Sequence, residues 1–188
     1  ALDGVEATRL ADALWELSPV RALVVPRMRA LLAVGRVDEA EELGQTTLDD
    51  REAGQEDTHA DVDLLGTLAR IRASLRADDE TALAYLERAR IALEGAPLPE
   101  ELVEIRAHAH YRADRTYEAI ESARPLAERP APEEPDRIDR WLRMRMVWAQ
   151  CLQKDDRLQE GISLLEAVPT ELGRGRPARA ELDADLGR

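Results

Sequence analysis

Four times along this chain an apolar helical stretch runs into a short polar turn, then into a second helix with one small residue at a set place. The segments are LLAVGRVDEAEEL from Leu31, RADDETALAYL from Arg76, RADRTYEAIES from Arg112 and KDDRLQEGISLL from Lys154, and the small residues are Ala40, Ala82, Ala119 and Gly161. Where two helices cross closely a larger side chain would hold them apart, so each copy predicts a tight helical hairpin. A further copy without its turn, ATRLADALWELSP, begins at Ala7, and the small residues then follow at spacings of 33, 42, 37 and 42. One hairpin cannot bury its apolar face alone, whereas stacked neighbours can. The recurrence therefore predicts an all-α chain, a single helical-hairpin solenoid over residues 1–188 with about four helix pairs and a lone helix at each end.

The composition agrees. Aromatic residues make up 3% of the chain and phenylalanine is absent, so Leu, Ala, Val, Ile and Met must form the core, a choice that suits helices better than sheets. Helices are predicted near 2–17, 19–34, 37–52, 58–76, 79–94, 99–112, 115–128, 136–153, 157–167 and 177–186. Ser18 and Pro19 read as an N-cap with proline in the first turn, and Pro26 is expected to kink or delay the helix that follows.

Charge narrows the partners. The chain carries a formal net charge of −13, which argues against a nucleic-acid or anionic-membrane surface because both call for a basic face. Residues 36–63 alone hold eleven carboxylates against Arg36 and Arg51, a net −9. Lys154 is the single lysine and asparagine is absent, a bias of the kind left by GC-rich bacterial coding. No signal segment opens the chain and Cys151 has no second cysteine to pair with, so a cytoplasmic location is expected. Residue 1 is Ala rather than Met, and the chain is expected to be excised from a longer one.

His108 and His110 are two apart and point to different sides of a helix; Glu104 and His108 share a face but fall short of a zinc ligand set. His59 sits among carboxylates in what reads as a solvated, acidic helix start. Cys151 has no base within a helical turn and reads as a packed thiol beside Trp148 and Leu152. Trp141, Met144, Trp148 and Cys151 or Leu152 recur at helical spacing as a core stripe. No phosphate loop or hydrolase motif is present, so neither catalysis, a cofactor nor a metal is expected.

The hairpin pattern resembles the tetratricopeptide repeat (TPR), and its spacings near 42 look like the longer-helix bacterial versions in the sensor regions of MalT-like regulators. The family's turn glycine falls on Gly35, Ala77, Asp114 and Asp156, and its small second-helix residue on Ala40, Ala82, Ala119 and Gly161; its terminal proline matches Pro19 and is approximated by Pro130 and Pro169. Its tyrosine position is held by Leu31, Ala73, His110 and Leu152.

The resemblance implies a non-catalytic scaffold that binds a protein or peptide in a concave groove. Arg29, Thr67, Ser74, Glu104, His108, Tyr111, Arg143, Gln150 and Lys154 stand at the groove positions, with Arg112 beside them. The alternative it implies is an effector-sensing region of a larger transcriptional regulator or signalling ATPase, whose ligand shifts a homo-oligomeric equilibrium. Arg112, Arg143 and Lys154 suggest a cationic patch for an acidic segment. Val25, Leu68, Glu101 and Ile105 stand where the chaperone-tail carboxylate clamp would need Lys, Asn, Lys and Arg, so a chaperone tail is not the expected guest.

Overall fold

The computed structural model describes residue 9 and residues 23–50 and 56–170, and among these the secondary structure is entirely helical. The chain divides into two compact units, Ala1–Leu98 and Pro99–Arg188.

In the first unit, α1 (Val24–Ala33) pairs with α2 (Val37–Asp49). A short 3₁₀ turn, His59–Asp61, leads into α3 (Val62–Arg70), which continues as a π turn over Ile71–Leu75 and pairs with α4 (Asp79–Ala92). Helix α3 also packs on both α1 and α2. Helix α1 begins at Val24 and holds Pro26 in its first turn, where no intrahelical donor is lost; the predicted helix residues 19–22 lie outside the described residues. Gly44 of α2 makes the close approach possible, since a Cβ there would stand 2.7 Å from the Met28 methyl and 2.9 Å from a Leu68 methyl.

The second unit repeats the scheme. Helix α5 (Glu100–Arg112) pairs with α6 (Thr116–Ala127), α7 (Pro135–Lys154) packs on both, and α8 (Leu158–Glu166) folds back on α7. Its core joins Ala119, Ile120, Ala123 and Leu126 of α6 to Met144, Val147, Cys151 and Leu152 of α7. Trp141 and Cys151 are buried and Trp148 partly so, which makes the predicted stripe a packing face.

The four hairpins among the described residues turn the same way. Gly35, Ala77, Asp114 and Asp156 take φ of 80°, 54°, 59° and 56°, the left-handed conformation that closes a helix C-terminus. Five residues beyond each stands the small residue, and Ala40, Ala82, Ala119 and Gly161 are all buried. The interval has a steric cause. The left-handed residue fixes the exit of the first helix, and five residues on is the first place where the second helix meets it again. At Gly161 the approach is to backbone, with a Cβ standing 3.0 Å from the Ala149 carbonyl oxygen.

Three turns close identically: Arg36, Arg115 and Arg157 N–H donate to the carbonyls of Leu31, His110 and Leu152, and Gly35, Asp114 and Asp156 N–H to those of Leu32, Tyr111 and Gln153. The second turn differs by one residue. Asp78 N–H reaches back to Arg72 and Arg76 N–H to Ile71, because the π turn takes one more residue into each ring than an α turn.

The helix predicted over 58–76 is therefore three pieces; His59 is exposed at its start, as expected, while Asp61 behind it is not. Asp61 is buried, and its carboxylate accepts from both the N–H and the hydroxyl of Thr58, at 2.8 and 2.9 Å. The predictions at 2–17, Ser18 and Pro19, and 177–186 lie outside the described residues, Arg9 excepted, which is helical.

Candidate functional site

Pro99 and Pro135 open α5 and α7, and the contact between these helices sets an acidic stripe against a basic one. On α5, Glu100 and Glu104 are one turn apart. On α7, Arg137, Arg140 and Arg143 recur every three residues. Arg143 donates from Nε to one Glu104 oxygen at 2.5 Å and Arg140 from Nε to the other at 3.1 Å. Glu100 is approached by Arg140 at 3.5 Å and Arg137 at 3.7 Å, and it accepts from Arg129 of the α6–α7 connector. A small cavity of about 40 Å³ lies beside these side chains, walled by Leu126 and Trp141.

The electrostatics follow from this pairing. Burial works to raise the Glu104 carboxyl, but Arg143 and Arg140 outweigh it and hold the group below the ordinary glutamate range. One turn on, burial pushes His108 below the ordinary histidine value against the opposing pull of Glu104. At the far end of the face, Lys154 Nζ lies 4.4 Å from the Tyr111 ring centre and donates to Asp114 at 2.7 Å. That hydrogen bond holds Asp114 below, and Lys154 above, their ordinary values.

Thus Glu104, His108, Tyr111, Arg143 and Lys154, all predicted groove residues, come together on α5 and α7, and Gln150 is exposed on α7. Arg112 is exposed at the end of α5. The patch is not the bare cationic one expected from the positions of Arg143 and Lys154, because Glu104 and Asp114 sit against those two charges. In the first unit Arg29 and Ser74 are exposed, whereas Thr67 is buried and its hydroxyl donates back to the Asp63 carbonyl at 2.8 Å. That hydroxyl serves its own helix rather than a guest.

Part of the acidic run of the first unit is likewise countered. Glu41 is buried against Arg72 at 2.5 Å and Arg76 at 3.2 Å, and Arg76 also reaches Asp38. Asp57 takes two hydrogen bonds from Arg88, at 2.8 and 3.0 Å. Cys151 is buried and its thiol is pushed up by burial, the opposite of what a nucleophile needs.

Sequence reasoning missed Arg145. It is buried in α7, its guanidinium 4.3 Å from the Trp141 ring centre, and it donates to the carbonyls of Ala127 at 3.0 Å and Leu164 at 3.2 Å. Both carbonyls lie in the last turns of α6 and α8, where helices leave acceptors without intrahelical donors. The arginine ladder of α7 was legible in principle: its three-residue recurrence faces a four-residue recurrence of Glu on α5.

Comparison with known protein families, curated proteins and solved structures found no match to this chain.

Proposed function

We propose that this chain is a TPR-like scaffold without catalysis of its own, which holds a protein or peptide segment along the first helices of its hairpins. The observation that carries the reading is the shared turn. Four hairpins place a left-handed residue five positions before a buried small one. In each unit the first helix of the later hairpin packs on both helices of the earlier one. That is how a stack of hairpins builds a continuous face from its first helices.

In the second unit this face is the α5–α7 surface, and its chemistry suits an acidic segment. Arg143 uses Nε on Glu104, and Lys154 donates to Asp114 and, at 3.5 Å, to the Tyr111 carbonyl; a guest carboxylate would meet the terminal guanidinium nitrogens of Arg143 and the third ammonium hydrogen of Lys154. Glu104 and Asp114 hold the two cations in place, so a guest meets charges whose side-chain freedom is already restricted.

Fluorescence anisotropy with labelled acidic, neutral and basic peptides tests this. The acidic peptides should bind most tightly, with an affinity that falls as salt rises. Arg143→Glu with Lys154→Glu should abolish that preference and leave the helical circular dichroism unchanged. Equal binding of all three peptide classes, or an unaltered preference in the double variant, overturns the reading.

A further inference from the structure

The small cavity at the start of the α5–α7 contact carries a charge balance opposite to that of the chain. Among the described residues that line it, Arg129, Arg137 and Arg140 face one carboxylate, Glu100, in a protein whose formal net charge is −13. Its apolar part is built from Leu126 and Trp141 with Pro130 and Pro132. Leu126 and Trp141 are 5% and 3% exposed, and the Trp141 indole N–H donates to the Arg129 carbonyl at 3.0 Å, so the back wall is fixed. The volume of about 40 Å³ gives room for roughly three water-sized groups, since one needs about 10–15 Å³.

The three arginines are unevenly committed. Arg129 donates to Glu100, and Arg140 to Glu104 at 3.1 Å. Arg137 instead lies 3.5 Å from Glu134 and 3.7 Å from Glu100, both beyond the usual N–H···O range. Its guanidinium is drawn between two carboxylates and hydrogen-bonds neither. A planar carboxylate is the group that the forked donors of arginine meet in pairs.

We propose that this cavity binds a short branched aliphatic carboxylate, a free small acid. Its carboxylate takes the guanidinium of Arg137, and its three-carbon branch fills the space against Leu126 and Trp141. Glu100 limits the guest to a single negative charge, because like charges at close range repel. The inference concerns one end of the α5–α7 face and does not rest on peptide binding.

Indole N–H signals in NMR spectra of the full chain, with Trp141 assigned through Trp141→Phe, read the site directly. Isovalerate at millimolar concentration should shift the Trp141 signal. Acetate has the charge without the branch, and isoamyl alcohol the branch without the charge; each should bind about tenfold more weakly. Arg137→Gln should weaken isovalerate about fivefold and leave the circular dichroism unchanged. Arg90→Gln, an equal change of charge at an exposed position in the first unit, should leave the affinity unaltered. Leu126→Phe should fill the cavity and abolish the response. An unmoved Trp141 signal, equal responses to the three probes, a wild-type affinity in Arg137→Gln or a response retained by Leu126→Phe each overturns the proposal.

Discussion

Lys154, at the end of α7, grips Asp114, the left-handed residue of the α5–α6 turn, across a 2.7 Å hydrogen bond. The contact joins the end of one first helix to the preceding hairpin's turn. Because Lys154 holds the Asp114 carboxyl below its ordinary 3.8, the folded state binds this proton less readily than the unfolded chain does. The stabilisation is complete above pH about 3.8 and is lost as pH falls through the lower folded value. In the Lys154→Met variant the Asp114 carboxyl, followed by NMR, should titrate close to 3.8; an unmoved titration would mean that the pair does not persist in solution.

His108 gives the opposite end of the face a pH signature of its own. Burial depresses its pKa below 6.5, so the unfolded chain takes up the proton first. Stability should be full above pH about 6.5 and decline as pH falls from there toward the folded value. Thermal melts of His108→Gln should lose that decline, and a variant that keeps the wild-type pH profile between 5 and 7 assigns it elsewhere.

The turns offer a pair of substitutions with opposite sign. Gly35 has φ of 80°, and a Cβ there would meet no atom within 4 Å, so Gly35→Ala isolates backbone strain and should cost about 1 kcal/mol. Ala77 bears that strain already at φ 54°. Ala77→Gly should therefore stabilise by about 0.5 kcal/mol once the freer unfolded chain is set against the relief. Urea midpoints moving in the same direction for both would contradict the shared geometry.

Removing Arg145 should be among the costlier single changes in the second unit. Arg145→Met keeps the stem but strands the Ala127 and Leu164 carbonyls near two helix ends and loses the stacking on Trp141. A loss of about 2–4 kcal/mol is expected, read by chemical denaturation; a loss below about 1 kcal/mol would place those carbonyls in contact with water.

Arg72 and Arg76 hold the acidic first unit together around Glu41. With both changed to Gln, the melting temperature should drop, then recover as NaCl rises from 0.01 to 0.15 M and the screening length shrinks from about 30 to about 8 Å. Wild type should respond less steeply, and parallel salt curves would show that the two arginines do not offset the local charge.

What could be read from the sequence was what local sterics decide. Gly35, Ala77, Asp114 and Asp156 read as turns and Ala40, Ala82, Ala119 and Gly161 as close crossings because a polar turn and a small residue recur at one fixed interval. The π turn at Ile71–Leu75 was not legible, since one extra residue in a ring changes no composition and barely disturbs an apolar stripe. The counter-charges were missed for a different reason. Glu104 and Asp114 lie 39 and 40 residues before Arg143 and Lys154, so no local window contains both partners. Arg145 stood in the Trp141–Trp148 stretch, where an arginine reads as solvated unless two helix ends are known to converge on it.

The π turn also bears on how such a chain tolerates change. Its ring absorbs a surplus residue on the near side of Ala77, while the interval of five from Ala77 to Ala82 stays as short as in the other hairpins. The hairpins are thus keyed to a short ruler at the turn, and the helices on either side act as slack. Insertions and deletions should accumulate in the bodies of the first helices and be purged between turn and crossing. Descendants of a common ancestor can then drift in repeat length until periodicity no longer reveals their kinship, while the five-residue interval persists.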